Sequence, residues 1–424
     1  MLRIAMPLVA CLAILPAAAS EGPWSLPARE ARLEALGQFR IRGLCSGTRL
    51  ADAVARGANA VRTYSTPSRA ELDRLQSAGV RVIPGVWMPH EGVNQAREGG
   101  TWHHSYPARG EQMLAEFASA LDRVGDHPAI LMWTLGNEVR LEPHYLRHVE
   151  RMSRLVHERY PRIATSLTIV NAPADSLRLI GEHAPDIDVI GVNAYGQGAI
   201  GTAIESLEKH WDGGFYFSEF NATGPWWGPQ ASWGPRFEPS GRQKAEEIAK
   251  AWERITAARR CVGGCLFQWG RWEAERITYF SALLPADPFA ERPAETDLRF
   301  TPVADAIAGQ WAGRLPARLA PVLERVEIDG AGQRDILVAP GMALRCTAEA
   351  TDADTPVPAL RYRWWIAREE GGRLRALTGP VETTEPEAVL SAPIDRDVGL
   401  FLVAAVLDDG DGICATTLPF RTAR

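Results

Sequence analysis

Two glutamates in this chain of 424 residues sit where polar side chains are least expected. Glu138 closes the stretch from His127 and Pro128 through the apolar run Ala129-Ile130-Leu131-Met132-Trp133-Thr134-Leu135 to Gly136-Asn137-Glu138. Glu219 interrupts a second apolar run, Phe215-Tyr216-Phe217-Ser218-Glu219-Phe220. Carboxyl groups that meet in pairs divide their work. One stays protonated and gives a proton to a leaving oxygen, while the other stays ionised and attacks or stabilises a cationic carbon. Set on either side of a sugar acetal, such a pair cleaves a glycosidic bond, and mutual repulsion helps keep the acid protonated. Taken singly, each glutamate is explained as well by a strand-end cap or an arginine partner. The chemistry requires that they converge.

The question is then which elements bring them together. The uncharged run between Pro128 and Gly136 is too short for most helices and suits a strand buried on both faces, as parallel sheets require. Its polar end, Asn137 and Glu138, must emerge at the carboxyl end of that strand. From Phe39 onward, short apolar runs alternate with helical patterns, the signature of a parallel α/β fold. Strands are expected over Phe39 to Cys45, Asn59 to Tyr64, Val80 to Met88, Ala129 to Leu135, Ile163 to Val170, Ile187 to Asn193, Phe215 to Phe220 and Gly263 to Trp269. Between them, Met113, Phe117, Leu121 and Val124 share a helix face, as do Leu146, Val149, Met152 and Val156 behind Pro143. Thr66-Pro67-Ser68 would cap another helix, and further helices run from about Arg242 to Ala258 and from Val303 to Trp311. Eight strands over roughly 280 residues fit a (β/α)8 TIM barrel, which typically needs about 250. A doubly wound open sheet ranks below it, because no glycine-rich phosphate loop follows any strand.

In such a barrel, strands four and seven face each other and catalysis happens at the carboxyl ends. The polar residues expected there are Cys45-Ser46, Arg62 with Tyr64, Trp87 to His90, Asn137-Glu138, Asn193 with Tyr195, Glu219 and Gln268-Trp269. Arg62 and Tyr195 are placed to hold Glu219 ionised, Asn137 to grip a sugar hydroxyl, and His90 to line the substrate site. The chain has 14 Trp against 8 Tyr, so their positions matter. Trp226, Trp227 and Trp233 follow strand seven, in a turn-rich loop that suits the wall of a sugar cleft. Trp269 ends strand eight and Trp272 follows it, whereas Trp133 and Trp252 read as core. His103-His104 lacks a clear carboxylate partner, and the chemistry needs neither metal nor cofactor.

A net charge of −6 gives no electrostatic reason to expect nucleic acid or an anionic membrane as partner. Residues 1–20 read as a secretory signal: Arg3, an apolar run from Ile4 to Leu15, then Ala17-Ala18-Ala19. This implies a periplasmic or secreted protein without a membrane span; a rival reading makes Cys11 a lipidated anchor. The remaining cysteines are Cys45, Cys261, Cys265, Cys346 and Cys414, an odd number. Cys346 with Cys414, and Cys261 with Cys265, are candidate bridges. The second spacing also resembles half a zinc site, but no second Cys or His pair follows, and structural cysteine is the better reading throughout. Domains are expected at 21–315 for the barrel and 321–424 for a small all-β sandwich, where helical stripes give way to short alternating runs. Asp408-Asp409-Gly410-Asp411-Gly412 reads as a hairpin turn rather than a calcium loop, since its spacing misses an EF-hand.

The run Leu131-Met132-Trp133-Thr134-Leu135-Gly136-Asn137-Glu138 resembles the acid/base strand of the glycoside hydrolase family 2 barrel and its clan A relatives. Ala60-Val61-Arg62-Thr63-Tyr64 is similar to that family's second strand, Asp188 to Tyr195 to its sixth, and Phe215 to Phe220 to its seventh. Gln268-Trp269 resembles its eighth. The resemblance spans roughly Phe39 to Trp311 and is densest at Asn137-Glu138. It implies a retaining β-glycosidase with Glu138 as acid/base and Glu219 as nucleophile. It also implies Arg62 and Tyr195 as partners of Glu219, and Trp269 as the floor of the sugar site. Two departures stand against it. Asn221 replaces the usual glycine after the nucleophile, and the domains that family 2 carries ahead of its barrel do not precede this one. Substrates of family 2 are therefore not inherited, and a β-glucan or related β-linked oligosaccharide is the expected partner. The tail resembles immunoglobulin-like or PKD-like modules of secreted carbohydrate enzymes. The alternatives are a transglycosylase using the same residues and a barrel that only binds polysaccharide.

Overall fold

A computed structural model describes residues 25–86, 88, 102–139, 141–271 and 278–424, with backbone alone for 26, 27, 102–109 and 358. Residues 1–24 with Cys11, together with Trp87, His90 and Trp272, lie outside the described residues, as do the side chains of His103 and His104.

Eight parallel strands form the barrel: β1 (Ile41–Leu44), β2 (Ala60–Arg62), β3 (Arg81–Ile83, resumed as Gly85–Val86), β4 (Met132–Asn137), β5 (Ala164–Val170), β6 (Val189–Tyr195), β7 (Gly214–Asn221) and β8 (Cys261–Leu266). Sheet neighbours follow chain order, and β1 pairs with β8 through Ile41 and Gly263. β3 is split because Pro84 has no N–H to give the ladder. Both halves still reach the β4 segment, Val82 N to Ala129 O at 2.8 Å and Gly85 opposite Thr134. The ring therefore closes. Gly263 permits the β1–β8 seam: its φ is +121°, and a Cβ there would lie 2.1 Å from the Ile41 carbonyl oxygen. The run Cys261-Val262-Gly263-Gly264-Cys265 is thus a buried strand with a close backbone approach.

Around the ring lie α2 to α9, after the preceding helix α1 (Leu26–Phe39). They are α2 (Leu50–Ala55), α3 (Arg69–Ser77), α4 (Trp102–Val124), α5 (Pro143–Arg159), α6 (Ala174–His183), α7 (Gln197–His210), α8 (Gly241–Ala257) and α9 (Pro302–Ala312). Ser68 Oγ accepts from Glu71 N at the start of α3, and Pro143 opens α5. The expected helix faces, Met113-Phe117-Leu121-Val124 and Leu146-Val149-Met152-Val156, are all buried.

α1 was not anticipated, and it closes the amino-terminal end of the barrel. Its Leu36 joins the interior cluster of Ile41, Ala60, Met132, Ala164 and Val189. Arg32 on the same helix reaches Asp188, just ahead of β6, with Nη2 donating at 2.8 Å and Nε at 3.0 Å to Oδ1. The other Asp188 oxygen receives Thr165 N–H at 2.9 Å and lies 2.8 Å from His157 Nε2. All three charged or polar partners are buried.

The tail is a two-sheet antiparallel sandwich. One sheet holds Val322–Ile328, Ala343–Thr351 and Glu387–Ser391; the other is built on Arg361–Glu370, Gly399–Leu407 and Ile413–Thr422. Its inner face packs Leu323, Leu344, Trp364, Leu402 and Phe420. The outer face of the second sheet packs Trp365, Phe401, Val403 and Ile413 against Leu284 and Phe289 of the segment that follows β8. At roughly 1.5–3 kcal/mol for each large side chain taken out of water, this contact binds the sandwich to the barrel firmly. Asp408 to Gly412 forms the hairpin turn, with Leu407 opposite Ile413 and Asp408 Oδ1 accepting from Gly410 N and Gly412 N, each at 2.9 Å. Its tip docks on the barrel, where Arg49 pairs with Asp411 at 2.7 Å. None of the five described cysteines is bridged, and all are buried; the candidate pairs Cys346–Cys414 and Cys261–Cys265 are corrected to free core thiols.

Asp305 on α9 faces the connection to the sandwich. Its Oδ2 accepts from Ala320 N at 2.6 Å, and burial pushes its pKa up to about 6 against the pull of Ala320 N–H and Arg56. A raised acid pKa means that the native state binds the proton more tightly than the unfolded one. The cost is absent below the unfolded value near 4 and complete above about 6. Asp305→Asn, which keeps the acceptor without the charge, is expected to raise unfolding stability at pH 7.5 by ~2–3 kcal/mol. The gain should fade as pH falls to 4. Paired urea titrations read this, and a less stable variant at pH 7.5 would contradict it.

Candidate active site

Four strands, β2, β4, β6 and β7, bring the expected residues to the carboxyl-end mouth, and the last three depart from regular pairing there. β4 slips register between Thr134 and Asn137, and β6 and β7 slip beyond Gly191. Such bulges re-aim side chains. In β4 the bulge contains Gly136 at φ +100°, where a Cβ would meet the Tyr145 hydroxyl at 2.9 Å, and Glu138 itself has φ +52°. A non-glycine residue in that region costs on the order of 1–3 kcal/mol and persists where its surroundings over-determine it. Glu138 N–H is held by Thr168 O at 3.0 Å.

Glu219 on β7 is buried, and three donors converge on it. Arg62 Nη1 donates to Oε1 at 2.8 Å, Tyr64 Oη to the same oxygen at 2.6 Å, and Tyr195 Oη to Oε2 at 2.5 Å. The same guanidinium reaches on: Arg62 Nη2 donates to Asn137 Oδ1 at 2.7 Å. Asn193 Nδ2 then donates to Glu138 Oε1 at 2.7 Å and to Asn137 Oδ1 at 3.2 Å, while its own oxygen accepts from Ser218 Oγ at 2.8 Å. Both carboxylates therefore belong to one hydrogen-bonded chain, Glu219–Arg62–Asn137–Asn193–Glu138. Their surroundings differ. Glu219 meets a cation and two phenols, a set that suits a carboxylate, whereas Asn193 offers Glu138 a neutral amide.

The donors are fixed as donors. Burial, then the neighbouring Glu219 charge, holds the Tyr195 hydroxyl well above the ordinary phenol range; burial, Cys45 and Glu219 do the same for Tyr64. Burial alone would favour loss of the Arg62 proton, but Tyr64 and Glu219 outweigh it and keep its pKa well above the usual guanidinium value. The Arg62 guanidinium also lies 4.6 Å from the centroid of the Tyr64 ring.

Aromatic rings surround Tyr195. Trp226 lies at 5.5 Å, Phe267 at 5.8 Å and Phe280 at 4.9 Å between centroids. Trp226 is 47% exposed, so part of its face remains open at the mouth. The expectation for Trp269 is overturned. Its side chain is fully buried, its Nε1 donates to Thr48 O at 3.0 Å, and its ring packs near Phe300. It serves the core and offers no face to a sugar; Phe267 and Phe280, themselves buried, pack on the Tyr195 ring. Trp233 packs against the sandwich core rather than the mouth. Trp133 and Trp252 are core, as expected.

Asn221 has a structural answer. Buried two residues beyond Glu219, it donates through Nδ2 to the carbonyls of Phe267 and Phe280 and accepts from Ala222 N. It ties the end of β7 to the segment after β8. Sequence reasoning gave no role to Tyr64 or Asn193 as partners of the glutamates, although a signal was present. Each lies two residues from an assigned one, Arg62 or Tyr195, on the same face of its strand. Among the described residues no group of three or more His, Cys, Asp or Glu is arranged to hold a metal ion.

No family model matches the chain. No curated protein matches it either. Solved structures of similar fold include a Bacteroides uniformis β-glucuronidase, at 15% identity over 91% of this chain and 46% of that one, TM-score 0.47. Others are a putative β-galactosidase from Bacteroides fragilis (13% identity, 88% and 51% covered, TM-score 0.42) and the GH53 catalytic domain of Ignisphaera aggregans (16% identity, 56% and 84% covered, TM-score 0.40). The chain spans about half the length of the first two. Likenesses of this size leave the chemistry to the side chains themselves. Among the described residues no helix is long and apolar enough to cross a membrane.

Proposed function

We propose that the chain is an exported, retaining β-glycoside hydrolase acting on a β-glucan or related β-linked oligosaccharide. The observation that carries this reading is the single chain of hydrogen bonds joining Glu219 to Glu138 at one barrel mouth. Glu138 gives its proton to the glycosidic oxygen as that bond breaks. A Glu219 oxygen attacks the anomeric carbon from the opposite face and forms a glycosyl ester. Glu138, now ionised, takes a proton from water, which displaces Glu219 and restores the β configuration. Arg62, Tyr64 and Tyr195 orient the nucleophile, Asn137 holds a sugar hydroxyl, and Trp226 supplies a stacking face. The leader-like residues 1–20 support export, and the sandwich is read as an immunoglobulin-like or PKD-like module.

Screening purified protein against aryl β-glycosides and soluble β-glucans tests the substrate class. Proton NMR of the first product then reads the stereochemistry. The β anomer is expected to appear before mutarotation; an α anomer appearing first would overturn retention, and no turnover across the panel would overturn hydrolysis of this class.

A further inference from the structure

The loop between β7 and α8, residues 222–240, has two sides. On one, Trp226 leans toward Tyr195 at the mouth. On the other, the adjacent Trp227, 63% exposed, borders a cavity of about 350 Å³. Gln197, Glu246 and Lys250 contribute its polar groups, and the Thr223 wall is pinned by Glu247, whose Oε2 accepts Thr223 N–H at 2.7 Å. A second cavity of about 500 Å³ shares the lining residues Gln243, Glu246 and Gln333 with the first, so the two adjoin. The sandwich supplies the far wall of this second chamber, through residues 323–326 and 416–418. The backbone links this groove to the candidate active site: Gln197 lies two residues beyond Tyr195, and Trp227 directly follows Trp226, whose ring lies 5.5 Å from that of Tyr195.

Each chamber falls within the ~300–1,000 Å³ typical of ligand sites. The lining is a flat, exposed indole beside carboxamides, with acids, a lysine and the arginines Arg242 and Arg325 mixed rather than one sign of charge, and Arg242 paired with Glu324. A pyranose ring presents the matching surface, an apolar face of C–H groups edged by hydroxyls that both donate and accept. We propose that this groove binds the distal units of an extended, uncharged β-linked glycan whose scissile bond lies between Glu138 and Glu219. The inference rests on the glycosidase reading for the direction of the chain. It makes the substrate a polymer, and it makes the sandwich one wall of the binding path rather than a spacer.

Affinity electrophoresis of the full chain carrying Glu219→Gln, in gels containing soluble mixed-linkage β-glucan, separates groove from chemistry because it needs no turnover. Marked retardation is expected, and adding Trp227→Ala should weaken apparent affinity about tenfold. Glu246→Ala, an exposed substitution on α8, should weaken it in the same direction and stands in should Trp227→Ala fail to fold. In the wild-type background, Trp227→Ala should lower kcat/KM for a hexasaccharide about tenfold while changing that for 4-nitrophenyl β-glucoside far less. Lack of retardation, or equal retardation of the protein with and without both groove substitutions, would overturn the groove. A protein that is retarded through Trp227 but hydrolyses no glycoside would keep the groove and refute the catalytic reading instead.

Discussion

Glu219→Gln is expected to lower kcat on an aryl β-glycoside on the order of 10⁴-fold, equivalent to about 5.5 kcal/mol of lost transition-state stabilisation. The amide matches the carboxylate in size, so the fold around Arg62, Tyr64 and Tyr195 should persist. What disappears is the nucleophilic oxygen. An amide cannot form the glycosyl ester at a useful rate, and its NH₂ group meets N–H or O–H donors where the carboxylate had accepted from Arg62 and from both phenols. Glu219→Ala should be equally inactive on its own but partly rescued by azide. The anion enters the vacated space, attacks the anomeric carbon from the nucleophile's side and leaves an α-glycosyl azide. Steady-state rates with and without azide, with product NMR, read both effects. Wild-type activity in Glu219→Gln would refute the assignment of Glu219, however well the barrel is formed.

The second large effect concerns stability at the other end of the barrel. Asp188→Ala is expected to destabilise the protein by ~3–5 kcal/mol at pH 7, since removing one partner of a buried ion pair leaves the other uncompensated. Against a typical total of about 5–15 kcal/mol, that threatens folding at growth temperature. Arg32 would keep its charge inside the protein, while Thr165 N–H and His157 would lose their shared acceptor. Burial by itself would raise the Asp188 pKa, but hydrogen bonds from His157 and Arg32 outweigh it and hold it below the ordinary carboxylate value. A lowered acid pKa contributes stability that is present above the unfolded value near 4 and is lost as pH falls through the folded one. The difference between wild type and variant should therefore be full at pH 7 and shrink below about pH 4. Urea titrations at both pH values measure it. A loss under ~1 kcal/mol at pH 7 would show that the pair does not hold α1 in place. Because Asp188 lies at the amino-terminal end, kcat of the folded fraction should stay close to wild type.

How far the molecule could be read in advance follows from the range over which each signal acts. Period and capping are local. The stripes Met113-Phe117-Leu121-Val124 and Leu146-Val149-Met152-Val156, the capping stretch Thr66-Pro67-Ser68 and the proline at Pro143 sufficed to place their helices. Glycine-bounded apolar runs sufficed for eight parallel strands in order. Topology then puts Glu138 and Glu219 at one mouth, because strand order in a closed barrel leaves no choice of face. Period two likewise carried Tyr64 and Asn193 alongside Arg62 and Tyr195, although their bonds to the glutamates emerged only in three dimensions.

Where residues far apart in the chain meet, sequence alone was silent or misleading. Trp269 reads as a strand-end aromatic but is buried, since only the packing near Phe300 and the carbonyl of Thr48 decides which way the indole turns. Trp364 and Trp365 are both buried on one strand, where alternation expects one exposed, because Phe289 of the barrel covers the outer face. α1 escaped notice because its anchor is Asp188, distant in sequence, and a helix that plugs a barrel end needs little amphipathic stripe of its own. Sequence by itself determined the barrel strands, their order and the pair of acids, each encoded in neighbours along the chain. Only the tertiary structure decided which donors hold each acid, which tryptophans are buried and which stay exposed, and where the sandwich meets the barrel. Those depend on contacts between segments whose meeting no local pattern records.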